Sequence, residues 1–172
     1  MKIKDTLITV VAVAIFGLLA YAWLSPAGIG TAPQLKLTTL DNQPLALQDL
    51  KGKPVLVTFW ATSCTGCVKE IPHLVELHNK LAPKGLTIIG ITMAYDPPNH
   101  VTELVNRRKL PYRIAMDIDG SASRAFGGVQ LTPTSFLISP DGRIVMKKIG
   151  DLDMASLTSR IEDMLKTKQA AR

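Results

Sequence analysis

Residues 55–67 read VLVTFWATSCTGC, and this stretch decides the fold. Val55 to Trp60 is a run of aliphatic, β-branched and aromatic residues behind Pro54, the composition of a central strand buried on both faces. A short turn follows. Apolar residues then recur at Val68, Ile71, Leu74, Val75, Leu77 and Leu81, a helical spacing that ends near Pro83-Lys84-Gly85. Cys64 and Cys67, the only two cysteines, therefore sit where a strand hands over to a helix. A bridge between them closes a very short loop, and entropic stabilisation grows with loop length, so it is a poor staple and reads as a switch. A helix N-terminus offers unpaired N–H groups and about half a positive charge, both of which favour a thiolate. Cys64 is thus the expected nucleophile, and Cys67, one turn further on, the expected resolving thiol.

Working outward, Leu35 to Leu50 alternates short apolar pieces around Asp41-Asn42, which predicts an N-terminal hairpin and then a turn at Asp49 to Gly52. Leu86 to Thr92 reads as a second buried strand. Pro97-Pro98 opens a helix to about Lys109. Arg113 to Met116 is a short strand, and Ser121 to Phe126 a short helix closed by Gly127-Gly128. Thr134–Ile138 and Arg143–Ile149 flank Pro140-Asp141-Gly142 as a hairpin, and Met154 to Lys166 is a final amphipathic helix. This order predicts an α/β fold with a central mixed sheet and helices on both faces.

At the other end, the 18 residues Leu7 to Leu24 carry no charge, behind Lys2, Lys4 and Asp5. As a helix they span roughly 27 Å, close to the thickness of a bilayer core. The chain accordingly divides into a cytoplasmic N-terminus (1–6), a transmembrane anchor or signal segment (7–24), a Pro- and Gly-rich linker (25–34), one domain (35–168) and a tail (169–172). Length and Trp23 favour an anchor, whereas Ala20-Tyr21-Ala22 resembles a cleavage site; no cysteine follows that could carry a lipid. Both early lysines precede the span and no charge follows until Lys36, which places the N-terminus in the cytoplasm and everything after Ser25 outside it. The expected location is the bacterial inner membrane, single-pass, with the domain facing the periplasm or exterior, or the soluble periplasm if the segment is cleaved. The net charge of +6 is dispersed, Arg107-Arg108-Lys109 being its densest cluster, and few aromatics lie nearby, so nucleic acid is not an expected partner.

Two further features belong to the same chemistry. Glu70 lies three residues beyond Cys67, about 60° around the helix, where a carboxylate can exchange a proton with the resolving thiol; the alternative is a surface glutamate paired with Lys69 or Lys80. Thr132-Pro133 precedes the strand TSFLI, where a cis proline would set the Thr132 backbone beside the cysteines as an edge for a substrate polypeptide. Pro72 removes one backbone hydrogen bond from the cysteine helix. His73 and His78, five residues apart and about 140° around a helix, make no paired metal face, and with His100 they read as surface or half-buried polar residues. No cofactor or metal is expected beyond the cysteine pair.

FWATSCTGCVKEIP, with FGGVQLTPTSFLISPDGRI far downstream, resembles the TlpA/ResA/CcmG-type branch of membrane-anchored thioredoxin-like proteins over about residues 35–168. The resemblance implies a thioredoxin-like fold with an N-terminal hairpin and an inserted helix and strand around Asn99 to Met116. It implies a thiol–disulfide oxidoreductase acting as a protein disulfide reductase. In such proteins the residue matching Cys64 attacks substrate disulfides and that matching Cys67 resolves the mixed disulfide. The proline matching Pro133 is cis, Glu70 matches an acidic residue near the site, and Trp60, Thr132 and Pro133 fall on the substrate side. Implied partners are exported disulfide-containing proteins, of the cytochrome c maturation or copper-site assembly type, and a membrane electron donor of the DsbD/CcdA type; a monomer is expected. The sequence departs from simple thioredoxins at Thr58, where they carry a buried aspartate, and from many relatives at Ser63, where they carry tryptophan. A disulfide oxidase or isomerase uses the same motif, and a copper carrier resembling Sco-type proteins is a further alternative, although those space their cysteines more widely.

Overall fold

The structure is a computed structural model that describes residues 10–11, 13–16 and 29–170. Most of the expected anchor (7–24), all of the N-terminus at 1–6, the start of the linker and residues 171–172 lie outside the described residues. Among the described residues, no helix is long and apolar enough to cross a membrane.

The elements in chain order are β1 (Gly30–Thr31), β2 (Lys36–Thr38), β3 (Pro44–Ala46), a 3₁₀ turn (Leu47–Leu50), β4 (Val55–Trp60), α1 (Thr65–Leu81), β5 (Thr87–Thr92), α2 (Pro98–Arg108), β6 (Arg113–Met116), α3 (Ser121–Ala125), β7 (Thr134–Ile138), β8 (Arg143–Ile149) and α4 (Met154–Ala170). The main sheet runs β1-β8-β7-β4-β5-β6, and β2 and β3 form a separate hairpin. β4 is central and buried throughout: it runs parallel to β5, with Trp60 opposite Thr92, and antiparallel to β7, with Thr58 opposite Ser135.

Because side chains alternate along β4, its two faces serve different cores. Val55, Val57 and Phe59 meet the hairpin residues Leu37 and Leu45 and the segment after α3. There Phe59 packs edge-on against Phe126 and Phe136, with ring centroids 5.4 and 6.0 Å away. Leu56 and Trp60 face the opposite core, built with Ile71, Leu74 and Leu77 of α1, Val101 and Leu104 of α2, and Leu157 and Ile161 of α4. Among the described residues, helices therefore cover the two faces unequally, three on one side and the short α3 with the hairpin on the other. Each aliphatic side chain buried along α1 contributes roughly 1.5–3 kcal/mol, which fixes the helix beneath the cysteines despite Pro72 within it.

The inserted pair α2 and β6 extends the sheet at one edge, β6 lying parallel to β5. The hairpin closes over that edge, where the Leu40 N–H donates to the Ile114 carbonyl at 2.7 Å. The opposite edge departs from expectation. Part of the stretch read as linker is β1, which pairs antiparallel with β8 and is flanked by bonds from the Ile29 N–H to Ile144 (2.7 Å) and the Ala32 N–H to Gly142 (2.9 Å). Residues 29–32 of that stretch thus belong to the main sheet, where they satisfy backbone groups that an open β8 edge would leave unpaired. At the other end α4 continues to Ala170, past the expected limit at Lys166.

Gly90 on β5 shows how closely the helical face is packed. A Cβ there would lie 2.8 Å from Ile114 Cδ1 and 3.0 Å from Trp60 Nε1. Gly90→Val is expected to destabilise the oxidised protein by about 1–3 kcal/mol through overpacking. Urea unfolding followed by tryptophan fluorescence checks this, and an unchanged midpoint would show that Trp60 and Ile114 yield freely.

Candidate active site

β4 ends at Trp60, and the turn 61–64 delivers the chain to α1. Cys64 takes the N-cap position with extended backbone angles, φ −84° and ψ 102°. Its Sγ accepts a hydrogen bond from the Cys67 N–H at 3.1 Å, so the sulfur fills the place a serine or aspartate side chain takes at an ordinary helix start. Cys64 and Cys67 are joined as a disulfide with Cα atoms 5.2 Å apart. Cys67 is 3% exposed, whereas Cys64 is half-buried, so an incoming group reaches Cys64 first.

The turn is pinned by a residue that sequence reading missed. The buried Asp96 carboxylate, in the loop after β5, accepts from both the backbone N–H (2.7 Å) and the hydroxyl of Thr62. These partners stand 34 residues apart, and no local pattern links them.

Glu70 is not a surface residue: it is 6% exposed. Lys80, one of the partners considered for it, bonds Glu162 at 3.0 Å instead. Glu70 Oε1 accepts the Leu152 N–H at 2.8 Å. Burial is the main influence on its carboxyl and pushes its pKa above the ordinary carboxylate value; the Leu152 N–H opposes this, the nearby Asp151 charge adds to it, and His73 works the other way. A crevice of about 10 Å³ runs between Glu70, Cys67, Thr58, Trp60, Tyr112 and Pro133, space on the order of one water molecule. Thr58, where simple thioredoxins carry the aspartate, is buried and accepts a hydrogen bond from the Ser135 hydroxyl at 3.0 Å, forming an uncharged pair. Tyr112, not singled out from sequence, holds its phenol above the ordinary value through burial and the Glu70 charge.

The Thr132–Pro133 peptide bond is cis. A Cβ added to Gly66 would lie 3.8 Å from Pro133 Cδ and 3.6 Å from Asp151 Oδ1, so this proline and this carboxylate both face the dipeptide between the cysteines. The Pro133 carbonyl accepts the Gly150 N–H at 2.8 Å. Thr132 is half-buried, and Leu131 beside it is 62% exposed, as is Tyr95 next to Asp96. Trp60 requires a correction. At 5% exposure it packs beneath the site against Gly90 and Ile114, and a substrate on the surface does not meet its ring. The histidines are not brought together. His73 lines a groove beside Glu70, His78 lies against Tyr112 with ring centroids 6.2 Å apart, and His100 is exposed on α2.

Residues 29–165 match the Redoxin family. The thiol-disulfide oxidoreductase ResA of Bacillus thuringiensis (strain Al Hakam) is 39% identical over 120 residues, which is 70% of this chain and 68% of that protein. Protein DipZ of Mycobacterium bovis is 31% identical over 145 residues, 79% of this chain but 21% of the longer relative. A thiol:disulfide interchange protein of the thioredoxin family from Chlorobium tepidum has the same fold, with a TM-score of 0.72, 29% identity, and coverage of 78% of this chain and 95% of that one. With the CxxC disulfide at the head of α1, these likenesses make the chain a thiol–disulfide oxidoreductase that belongs to the Redoxin family, in its TlpA/ResA/CcmG-type thioredoxin-like branch.

Proposed function

We propose that this oxidoreductase works as a reductase outside the cytoplasm, tethered by residues 7–24, and delivers electrons to disulfides in exported proteins. The observation that carries the chemistry is the division between a reachable Cys64, whose sulfur caps α1, and a buried Cys67. In the dithiol form, the cap N–H and the helix N-terminus favour a thiolate at Cys64. That thiolate attacks one sulfur of a substrate disulfide. The S–S bond breaks, a mixed disulfide forms with Cys64, and the substrate's other sulfur leaves as a thiolate that takes a proton. Cys67 then loses its proton and attacks Cys64 Sγ. The intramolecular disulfide forms and the second substrate sulfur departs, so two electrons and two protons have passed to the substrate.

Glu70 borders the same small crevice as Cys67, where it accepts the resolving thiol's proton directly or through one water. Its raised proton affinity brings it nearer to a thiol's than an exposed carboxylate's would be. The Thr132 backbone beside Pro133 provides an edge for the substrate chain, with Leu131 and Tyr95 as apolar contacts on either side. Apocytochrome c or a copper-site protein is the proposed substrate class. A reductase in an oxidising compartment needs resupply, so a membrane protein of the DsbD/CcdA type is the proposed donor, serving a monomeric acceptor. The uncharged span, with Lys2 and Lys4 before it and no charge after it until Lys36, supports the membrane location.

Cys67→Ser leaves Cys64 able to attack but not to be released. Cells carrying it are expected to accumulate disulfide-linked adducts between Cys64 and exported proteins, visible on non-reducing gels and absent in Cys64→Ser. Failure to trap anything, or a measured potential near −120 mV as in strong oxidants, would overturn the reductase reading.

A pH test addresses Glu70. A carboxyl whose pKa is raised by folding holds its proton more tightly folded than unfolded, so it lowers stability as pH climbs from the ordinary carboxylate value through the raised one. Glu70→Gln keeps an acceptor for the Leu152 N–H without the charge. Urea unfolding of the oxidised proteins is expected to show little difference near pH 4 and a more stable variant at pH 8. In the same variant, release of substrate from the mixed disulfide slows by about 10²-fold if Glu70 takes the proton. A stability difference equal at both pH values, with unchanged release, would mean that Glu70 is structural only.

A further inference from the structure

The loop between β8 and α4 lies beside the start of α1, held by two backbone N–H groups: Gly150 donates to the Pro133 carbonyl and Leu152 to the Glu70 carboxylate. Asp151, between those anchors, is held in place by its neighbours on both sides. Its carboxylate reaches to 3.6 Å from where a Cβ on Gly66 would stand, over the dipeptide that separates the cysteines. It also lines, with Gly66, Lys69, Glu70 and His73, an open groove of about 210 Å³ along α1. A carboxylate fixed at the positive end of a helix competes with any other negative charge that forms there, and here that charge is the Cys64 thiolate.

We propose that Asp151 is a positioning residue that opposes the Cys64 thiolate electrostatically and thereby makes the dithiol a stronger electron donor at alkaline pH. The proposal rests on the reading of Cys64 as the nucleophile. A thiolate stabilised in the reduced form makes a pair oxidising, so a charge that destabilises it pushes the pair toward the disulfide and its electrons toward the substrate. The groups around this turn come from several elements. Lys69 and His73 stand on α1 itself, Asp151 on the loop before α4, Asp96 on the loop after β5 where it holds Thr62, Tyr112 before β6, and Glu70 and Cys67 across the crevice. Asp151 also strengthens Glu70's hold on its proton, so one carboxylate acts on both the attacking thiol and the neighbouring acid. With Asp151 present, less of the helix field is left for Cys64, and the acid beside Cys67 stays protonated to higher pH.

The test is Asp151→Asn, with Asp151→Glu as the conservative partner. The reduced full-length protein is alkylated with iodoacetamide across pH 5–10 to obtain the apparent acid constant of Cys64, at low and high salt. The redox equilibrium with glutathione is measured at pH 9, where the thiolate contributes. Asp151→Asn is expected to raise the acid constant about threefold at low salt, with the gain shrinking at high salt, and to shift the glutathione equilibrium toward the dithiol. Asp151→Glu is expected to stay near the wild type. An unchanged acid constant in a folded Asp151→Asn, or a change indifferent to salt and shared by Asp151→Glu, overturns the proposal. Either result leaves the trapping outcome for Cys67→Ser untouched, so failure here is distinct from failure of the reductase reading.

Discussion

The contact between the Cys67 N–H and Cys64 Sγ is the constraint on which the site depends. A helix start needs an acceptor for its free N–H groups, and here the acceptor is the reactive atom itself. The same sulfur must therefore be close enough to cap α1 and open enough to meet another protein. Burial resolves the conflict by acting on the partner: Cys67 goes into the core, onto the stripe with Ile71, Leu74 and Leu77, and Cys64 stays at the rim. Little freedom remains in the turn. Asp96 holds Thr62 on one side of Cys64, and Gly66 faces Pro133 and Asp151 on the other.

Those restraints are contributed by segments far apart in the chain, and the sheet order explains how they meet. β4 is flanked by β5 and β7, so the loops following β5 and preceding β7 both open at the end of β4 where α1 begins. The first brings Asp96 and Tyr95; the second brings Thr132 and Pro133. β8, antiparallel to β7, ends at the same side and brings Asp151 and Leu152. The inserted β6 adds Tyr112 to the crevice from the far edge. A reactive pair at the C-terminal end of the central strand β4 is thus surrounded by the loops after β5, before β7 and after β8.

What could be read from the chain divides along the same line. β4 and α1 were legible because their signals are local: a β-branched run, a helical apolar spacing and two cysteines at the junction. So were the hairpin turns at Asp41-Asn42 and Pro140-Asp141-Gly142. Glu70 carried a signal that was only half used. Its place three residues after Cys67 and four before Leu74 sets it on the buried stripe of α1, which spacing alone could have shown. Asp96, Tyr112 and Asp151 had no such signal, since each acts through a partner in another element; the bond from Leu152 to Glu70 spans 82 residues. β1 escaped notice because two small residues after a Pro- and Gly-rich stretch show no alternation, and only the open edge of β8 makes them a strand. Trp60 misled for the reverse reason: an aromatic beside a reactive site suggests a contact surface, but strand alternation turns it into the helical core.

The exchange of a buried acid for a neutral pair is the last consequence of this arrangement. At position 58 the hydroxyls of Thr58 and Ser135 satisfy each other across β4 and β7, so the strand carries no charge beneath the cysteines. The carboxylate sits on α1 instead, one turn beyond Cys67, with its own backbone donor from the β8–α4 loop. The proton affinity of Glu70 is set by its burial and by a loop that places a hydrogen-bond donor and a second carboxylate within reach. Placing the acid on the helix rather than the strand therefore gives a share in controlling its proton to the loop Gly150 to Leu152, in which Asp151 is exposed while Leu152 packs against the core. A scaffold built this way can alter the chemistry of its dithiol at one exposed position while β4, α1 and the cap stay as they are.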